Sequence, residues 1–368
     1  MRRVVVTSNV RFALPGQTGG FVRVLDLERG EVTFASAVPE SIYREVDPNP
    51  RGGQRGGRGV SVEGERLVIA NAERLFVFDR SWKLLADFTH PLLANIHDVL
   101  ADERGVWLAA TGCDALVLMG WDGELRGYWT PLDDERLAAA VGLELGSMPP
   151  FDPGADYRDP RLRGRTQTVH INSVMRAGDG LLVGLGRVHG FHDASAGRSA
   201  VVRLDAADGP LERARGTLVL RLPAGSAPNH NAAWAGDLLL VNDSNRNLLV
   251  AFDVASGREL YTVEVPGKPA FARGLAQVAS DRWLVGSQDP LAVYAVDLAR
   301  REIVAAYPLG GVENETVFAI SPLPDEFDDP RRPASDDPYA FWKQSAAGIG
   351  MTPIPPRSRA GPGGRARA

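Results

Sequence analysis

A unit of four short apolar runs recurs along this chain of 368 residues, and residues 228–265 show it most clearly. Within that stretch, the runs 231–235, 238–241, 248–254 and 260–265 are separated by clusters of Gly, Asp, Asn and Ser. Short Val- and Leu-rich runs divided by such residues are typical of antiparallel strands joined by tight turns. The stretch therefore predicts one four-stranded antiparallel sheet.

Comparable units occupy residues 59–89, 96–130, 171–222 and 273–307, whereas residues 4–38 show only the second, third and fourth runs. Where no insertion intervenes, equivalent first-strand positions are 39, 43 and 42 residues apart. A period of about 40 residues with four strands per unit is typical of β-propeller blades. The repeat therefore predicts a ring of blades.

One further run, residues 316–321, has the first-strand pattern and can complete the N-terminal unit by pairing with residues 4–9. Closure of this kind removes the exposed sheet edges at which chains aggregate. We therefore predict an all-β fold, a six-bladed β-propeller of four-stranded antiparallel blades. A C-terminal inner strand joins the N-terminal blade and closes the ring.

The strand pattern ends at residue 325, so we assign the propeller to residues 1–330 and a C-terminal extension to residues 331–368. An insertion at residues 131–168 contains a helix-like segment and is predicted to lie on the channel face. Residues 355–368 contain no large apolar side chain that could offset the entropy of ordering. We therefore predict disorder from about residue 353.

Composition indicates the compartment and excludes some partners. No apolar run reaches the ~18 residues that a membrane helix requires, and no signal-type segment follows Met1. The single cysteine, Cys113, excludes an internal disulfide and fits a reducing compartment. The net charge of −5 argues against nucleic acid as a partner. We therefore expect a cytoplasmic protein that binds neither membranes nor nucleic acid.

The long connections all fall on one face of the predicted propeller. In each blade, the connection from the second to the third strand and the connection to the next blade share a face. The long segments 39–57, 131–168 and 189–199 are of these two kinds, whereas the opposite face has only short turns. Functional residues concentrate on loops carried by a rigid scaffold, so this loop-rich face is the predicted site.

Polar and charged residues recur where strands meet the loop-rich face. The starts of the innermost strands align as Arg58, His97, Asn172 with His170 two residues earlier, His230, Arg273 and Glu315. The ends of the second strands contribute Asn9, Asn71, Thr111, Asn242, Asp243 and Gln288. Buried Arg, His and Glu cost free energy unless they are paired or solvated. The ring is therefore either a binding site or a set of ion pairs between blades, Arg58 or Arg273 with Glu315 or Asp98.

The leading interpretation is a site for a small anionic metabolite. Arg58 and Arg273 would clamp the anion, since guanidinium groups bind carboxylate, phosphate or sulfate through paired donors. The histidines His97, His170 and His230 would serve as polar contacts or as acid–base catalysts. The remaining predicted substrate contacts are Asn172, Asn71, Asp243 and Gln288. Within the insertion after the fourth unit's second strand, His189 and His192 are candidates for a lid.

Two other functions stay open on the sequence alone. A divalent metal ion would find nitrogen and oxygen ligands in the set His97, His170, His230 and Glu315. That alternative is a metal-dependent hydrolase, although the two arginines oppose a nearby dication. The second alternative is a non-catalytic scaffold that binds a protein through the loop-rich face. Whether the protein is an enzyme is not decided by these residues.

The blade-opening sequences HDV, HINSV, NHN and FARGLA carry a resemblance. They resemble an uncharacterised family of bacterial six-bladed propeller proteins with HD, H-x-N, NHN and RGLA elements, over about residues 57–324. The mixture of channel His and Arg is also similar to bacterial arylsulfotransferases, which implies a nucleophilic channel histidine. Calcium-dependent lactonase and phosphotriesterase propellers hold their metal with Glu, Asn and Asp. That likeness implies ligands from Glu315, Asn172, Asn231 and Asp243.

Overall fold

The computed structural model describes residues 1–14, 17–47, 56–143, 145, 151–160, 168–188, 198–205, 210–269, 271–331 and 333–347. Within them, 24 strands form six antiparallel sheets of four strands each. The inner strand of each sheet contacts the inner strand of the next sheet around a complete circle. The predicted six-bladed propeller is therefore confirmed.

Each sheet is one blade, and its strands follow one another along the chain. Blade 1 contains β1 (Arg3–Val10), β2 (Phe21–Asp26) and β3 (Glu31–Ala37). Blade 2 contains β4 (Val60–Glu63), β5 (Arg66–Ala70), β6 (Arg74–Phe78) and β7 (Leu84–Thr89). Blade 3 contains β8 (Ile96–Asp102), β9 (Gly105–Ala110), β10 (Ala115–Met119) and β11 (Leu125–Trp129).

The second half of the ring repeats this order. Blade 4 contains β12 (Ile171–Ala177), β13 (Gly180–Leu185), β14 (Ala200–Leu204) and β15 (Gly216–Arg221). Blade 5 contains β16 (Asn229–Ala235), β17 (Leu238–Asp243), β18 (Leu248–Asp253) and β19 (Arg258–Glu264). Blade 6 contains β20 (Arg273–Ala279), β21 (Arg282–Gly286), β22 (Ala292–Asp297) and β23 (Glu302–Pro308). The last strand, β24 (Glu315–Leu323), completes blade 1 as its innermost strand.

The ring is closed by antiparallel pairing between the first and last strands of the chain. β24 pairs with β1 from Arg3 opposite Leu323 to Val10 opposite Glu315. This pairing is the closure predicted from the first-strand pattern of residues 316–321, and it is confirmed. β1 ends on the loop-rich face, and its last residue, Val10, lies opposite Glu315. The innermost strand β24 therefore begins on that face, at Glu315.

The core lies between neighbouring blades, and β1 shows why its valines run without interruption. Val4 and Val6 pack against residues of blade 6, whereas Val5 packs against residues of blade 2. Successive side chains of a strand point to opposite faces, so a blade covered on both faces buries every position. All three valines are fully buried. Each such side chain contributes about 1.5–3 kcal/mol of transfer free energy.

Two short helices pack on the outside of the ring. In the insertion, α1 (Glu135–Val141) begins at Asp134, whose carboxylate accepts a hydrogen bond from the Leu137 N–H at 3.0 Å. The helix contacts the outer strand β15, and Asp134 also accepts from the Gly216 N–H at 3.0 Å. The helix-like segment therefore covers the outer rim between blades 3 and 4, and it lies away from the inner strands.

The second helix, α2 (Ala340–Ser345), belongs to the C-terminal extension, where the sequence indicated no element. Its Phe341 and Trp342 pack against aromatic residues of blades 1 and 2, including Phe34 and Phe78. The Trp342 indole N–H donates to the Ala37 carbonyl. The extension therefore seals the outer groove between two blades. The predicted disordered tail from about residue 353 lies outside the described residues.

Neither helix in the described ranges is long and apolar enough to cross a membrane.

Candidate functional site

Five of the predicted site residues are linked by contacts to one another or to one phenylalanine of the innermost strand β24. We call this group the channel cluster, and its members are Arg58, His97, His170, His230, Arg273 and Phe318. The rings of His97 and His170 lie edge to face with their centroids 4.8 Å apart. The His97 ring lies 5.5 Å from the Phe318 ring. The structure therefore brings these side chains together, and their roles stay predictions.

Phe318 of β24 is the centre of the channel cluster. The Cζ atoms of Arg58 and Arg273 lie 4.7 and 4.4 Å from the centroid of its ring. Phe318 is buried, and a desolvated contact of this kind contributes about 2 kcal/mol. The Phe318 ring thus contacts two guanidinium groups, those of Arg58 and Arg273.

Sequence reasoning missed Phe318, although the alignment of strand starts contained a signal for it. The residues three positions after those starts are Ser61, Leu100, Met175, Ala233, Ala276 and Phe318. Only the closing strand has an aromatic side chain at this level. An aromatic residue at one of six equivalent positions, where the other five are small or aliphatic, indicates that its ring makes specific contacts.

His230 is held in one tautomer by a chain of hydrogen bonds. The Ser244 hydroxyl donates to the Ala272 carbonyl at 2.6 Å, so its oxygen accepts from the Nδ1–H of His230, also at 2.6 Å. The Nε2 lone pair then accepts a hydrogen bond from Nη2 of Arg273 at 2.6 Å. Burial, and next the Arg273 charge, hold the pKa of His230 well below its ordinary value. His230 is therefore a neutral acceptor for the arginine.

Arg273 carries a charge that no carboxylate in the described residues neutralises. Its side chain is only 8% exposed, and its buried Nε has no hydrogen-bond partner among those residues. Burial, and then the charges of Arg58 and Arg11, lower its pKa well below the ordinary value of arginine. An uncompensated buried charge costs several kcal/mol. Arg273 is therefore a buried cation whose charge a bound anion would balance.

His97 and His170 are also neutral. The Nδ1 of His97 lies 2.8 Å from the Asn95 carbonyl, which can only accept, so Nδ1 carries the proton and Nε2 is an acceptor. Burial, followed by the electrostatic effect of the neighbouring His170 and by the charge of Arg58, holds the pKa of His97 well below its ordinary range. Burial, followed by the charge of Arg187, lowers the pKa of His170 to about 3. Histidines in such a cationic setting stay uncharged at neutral pH.

The backbone at His170 is positioned by Asp114, a residue that the sequence did not point to. The carboxylate of Asp114 accepts hydrogen bonds from the N–H groups of Val169 at 3.1 Å and His170 at 2.7 Å, and also from that of Thr168. His170 has a φ of 54°, in the left-handed region that few residues other than Gly, Asn and Asp adopt. Asp114 therefore holds the connection from the insertion in the conformation that points it into blade 4.

Glu315 does not join the channel cluster. Its carboxylate accepts two hydrogen bonds from the guanidinium of Arg23 on β2, and a third from the Ser8 hydroxyl. The expected ion pair of Glu315 with Arg58 or Arg273 is therefore wrong, because Arg23 occupies the carboxylate. Asp98, the other expected partner, accepts from the N–H groups of Val99 and Val174.

The metal hypothesis loses its acidic ligand for the same reason. Among the described residues, no group of three or more His, Cys, Asp and Glu side chains is arranged to hold a metal ion. Of the residues that the lactonase likeness implied, Asn231 donates to Asp98 at 3.4 Å and accepts from the Gly274 N–H at 2.9 Å. Asn231 and Asn172 bond to neighbouring blades, whereas Glu315 and Asp243 pair with Arg23 and Arg246 of their own blades.

Two of the predicted substrate contacts are used within the protein. Asn71 donates to the Pro39 carbonyl at 2.9 Å and accepts from the N–H groups of Glu73 and Arg74. Asp243 is fully buried and accepts from Nε of Arg246 at 2.7 Å. Both residues shape turns at the ends of second strands. In the structure, the polar atoms of both side chains are therefore bonded within the protein.

The remaining strand-end residues mostly connect adjacent blades. Thr111 donates to the Ile171 carbonyl, and Asn242 donates to the Gly274 carbonyl at 3.0 Å. Asn172, at the start of β12, also bonds to the next blade: it donates to the Asn229 carbonyl, and its buried Oδ1 has no hydrogen-bond partner within the described ranges. The polar ring of the sequence therefore divides into residues that join blades and residues that face the channel.

Gln288 marks an extension of the channel cluster toward the rim. Its Oε1 accepts a hydrogen bond from Nη1 of Arg11 at 3.1 Å. The Arg11 guanidinium lies 5.2 Å from the centroid of the Phe271 ring, and Arg273 lies 4.8 Å from the same ring. Arg11 was missed because it follows the first strand of the chain, outside the aligned strand starts. The candidate lid residues His189 and His192 lie outside the described residues.

A scan of protein-family models gives no match to this chain. A search of curated proteins gives no match either. Solved structures are similar to it, including a protein of unknown function from Bacteroides caccae at 10% identity and a TM-score of 0.53, over 88% of this chain and 98% of that one. A nidogen/laminin complex matches at 10% identity and a TM-score of 0.53, over 87% of this chain and 97% of that one. A streptogramin B lyase matches at 11% identity and a TM-score of 0.44, over 69% of each chain.

Identities this low show a shared fold alone. The expected resemblance is therefore confirmed at the level of the β-propeller, and the particular bacterial family with the HD, H-x-N, NHN and RGLA elements stays an expectation.

Proposed function

We propose that the protein binds a small anion in the channel mouth, with Arg273 as the principal cationic contact. The observation that carries this proposal is the state of Arg273: buried, without a carboxylate among the described residues, and with an Nε lacking a hydrogen-bond partner. A carboxylate, phosphate or sulfate would supply both the missing charge and the missing acceptor. Arg58 lies on the same phenylalanine and would contact the same ligand.

The charge balance of the site favours an anion over a cation. The three histidines are neutral because burial and the neighbouring arginines hold their pKa values low. At an effective dielectric constant of about 20, two unit charges 4 Å apart interact by about 4 kcal/mol. The buried Arg273 guanidinium would therefore oppose a metal dication strongly and attract an anion.

Binding is better supported than acid–base catalysis. A general base works best when its pKa lies near the operating pH, and the pKa values of the channel histidines lie well below it. In addition, Nε2 of His230 already accepts a hydrogen bond from Arg273 and is not available as a base. His97 keeps an acceptor at Nε2 and is suited to receive a hydrogen bond from a hydroxyl or N–H group of the ligand.

We also propose that the protein is cytoplasmic, as expected from the sequence. The single cysteine, Cys113, is buried, in keeping with a structural thiol in a reducing compartment such as the cytoplasm. A protein partner at the loop-rich face would be compatible with a ligand-filled channel.

Calorimetric titration with sulfate, phosphate and acetate tests the proposal. The Arg273→Met variant should bind the anion about 10- to 150-fold more weakly, the scale of a charge-assisted hydrogen bond of ~1.5–3 kcal/mol. Arg203→Met is the matched control because Arg203 is an exposed arginine that pairs with Asp179 and Asp205 on the opposite face. The absence of binding by all three anions, or equal binding by the Arg273→Met variant, would refute the proposal.

A further inference from the structure

The channel cluster contains an unused hydrogen-bond acceptor beside its cations. Nδ1 of His97 faces back to the Asn95 carbonyl at 2.8 Å, so that nitrogen carries the proton. Nε2 lies at the far end of the ring from the backbone, and within the described residues it makes no hydrogen bond. His97 is 8% exposed, so part of its ring is open to the channel. A lone pair in this place repels an anionic oxygen and attracts a hydroxyl or N–H donor.

Phe318 places this acceptor near Arg273. The His97 ring centroid lies 5.5 Å from the Phe318 centroid, and the Arg273 Cζ lies 4.4 Å from the same point. The imidazole and the guanidinium are therefore no further apart than these two distances together. A small molecule with two oxygens on neighbouring atoms, and a hydrogen bond of about 2.8 Å at each oxygen, spans a gap of this size. One small ligand therefore reaches both groups.

Asn231 fixes the acceptor and the cation relative to one another from behind. Its Nδ2 donates at 3.4 Å to Asp98, the residue after His97. Its Oδ1 accepts at 2.9 Å from the N–H of Gly274, the residue after Arg273. The strand register shifts at His97, Asn231 and Gly274, and such bulges re-aim side chains next to functional sites. The two groups are therefore held in one arrangement before a ligand binds, which reduces the cost of binding it.

We infer that the ligand is a small oxyanion that carries its own hydroxyl donor, a hydrogen phosphate or an α-hydroxycarboxylate, and that His97 selects it. This inference rests on the proposed anion site and adds the class of ligand. The anionic oxygens accept from Arg273, and the hydroxyl donates to Nε2 of His97. Near neutral pH, phosphate keeps at least one proton, whereas sulfate has none and would place an anionic oxygen against the lone pair of His97.

Matched probes test the inference on the intact protein. Glycolate, methoxyacetate and acetate share a carboxylate, but only glycolate has a hydroxyl group. Phosphate and sulfate share a tetrahedral shape, but only phosphate has a proton to donate. In calorimetric titrations near neutral pH, glycolate should bind about 2- to 12-fold more tightly than either of the other carboxylates, the range for one hydrogen bond. Phosphate should bind at least about tenfold more tightly than sulfate, because sulfate also meets repulsion.

The two sets of probes distinguish the two sources of this chemistry. A preference for the hydroxyl-bearing probe in either set supports the inference. The larger preference identifies the ligand as a phosphate or as a hydroxycarboxylate. Nitrogen NMR of His97 adds a direct readout, since the Nε2 resonance should move upfield when glycolate binds and keep its position with methoxyacetate.

A variant assigns the preference to His97. His97→Phe keeps an aromatic ring against His170 and Phe318 and removes the acceptor. It should lose the preference in both sets while acetate and sulfate bind at least as tightly as before. His90→Phe is the matched control, because His90 follows the outer strand β7, and this variant should keep both preferences. Thermal melting checks that both variants fold, and the probes on the intact protein decide the inference without either of them.

The outcomes separate this inference from the anion site itself. If none of the five anions binds, the anion site fails. If they bind and the members of each set bind equally, the site stands and the inference of a hydroxyl-bearing ligand is overturned. Preferences that persist in full in His97→Phe would also overturn it, because the acceptor would then be another group.

Discussion

Nη2 of Arg273 donates a hydrogen bond to Nε2 of His230 across 2.6 Å, so in this pair the histidine is the acceptor. Buried arginines are usually held by carboxylates, as Arg23 is by Glu315 in blade 1. A neutral imidazole fixes the position of the guanidinium and leaves its charge in place. The pair therefore presents a preorganised cation to the channel, and preorganisation reduces the free-energy cost of binding a ligand.

The hydroxyl of Ser244 should control this pair. Because Ser244 accepts from Nδ1–H of His230, the Ser244→Ala variant removes the contact that fixes the tautomer. A proton at Nε2 would then oppose the Arg273 donor, and we expect anion binding to weaken about tenfold, or ~1.4 kcal/mol. Nitrogen NMR shifts of His230 report the tautomer directly. Ser244→Thr restores the hydroxyl and should restore both properties, whereas unchanged shifts and affinity in Ser244→Ala would contradict this role.

The neutral histidines should make stability depend on pH. Burial and the Arg187 charge lower the pKa of His170 to about 3, while an unfolded histidine titrates near 6.5. Below about pH 6.5 the unfolded state binds more protons than the folded state, so stability falls as the pH falls, by ~1.4 kcal/mol per pH unit for this residue. His170→Asn suits the backbone φ of 54° and removes the titrating group. Its urea unfolding between about pH 4 and pH 5.5 should therefore be less pH-dependent by about that amount. An unchanged slope would show that His170 titrates normally.

The blades could be predicted from sequence because each one is a local pattern. The apolar runs and their turns lie within about 40 residues of one another, and strand pairing follows chain order. Even the closure by β24 was predictable, since residues 316–321 repeat the first-strand pattern. The C-terminal helix was not, because Phe341 and Trp342 gain their burial from β3 and β6, more than 260 residues earlier in the chain. No local period reports such a contact.

The site was predictable in position and only partly in membership. Aligned strand starts brought His97, His230 and Arg273 to one place, as the structure does. The same alignment included Glu315, which pairs with Arg23 of β2, two strands away in the same blade. Whether a polar side chain faces the channel or bonds within the protein depends on its partner, which lies on another strand of the same blade or in another blade. The residues next to a polar side chain in the sequence do not reveal this partner, so its orientation could not be predicted from the sequence.

The C-terminal helix should act as a structural clamp. Trp342 is fully buried against Phe76 and Phe78 of blade 2. Trp342→Ala should destabilise the protein by ~3–5 kcal/mol, the range for a buried aromatic. Chemical unfolding measures this loss.

Truncations extend the same test. Removal of residues 353–368 should leave melting unchanged, because the described packing of α2 ends before them. Removal of residues from 312 onward deletes both β24 and α2 and should abolish folding. A protein that melts normally after the second truncation would contradict ring closure by β24.

The last prediction contrasts two buried arginines. Arg23→Met leaves the carboxylate of Glu315 buried without its cation, so we expect a loss of ~3–5 kcal/mol in the free energy of unfolding. Arg273→Met removes a buried charge that has no carboxylate partner in the described residues, and the methionine keeps the contact with Phe318. Stability should therefore stay constant or rise, while anion binding weakens about 10- to 150-fold. Urea unfolding of both variants, with and without sulfate, measures both effects. Sulfate should stabilise the intact protein and leave Arg273→Met unaffected, since a ligand stabilises only a folded state that binds it. If Arg273→Met instead destabilises the protein as much as Arg23→Met does, the arginine is held for structure, and its charge is not reserved for a ligand.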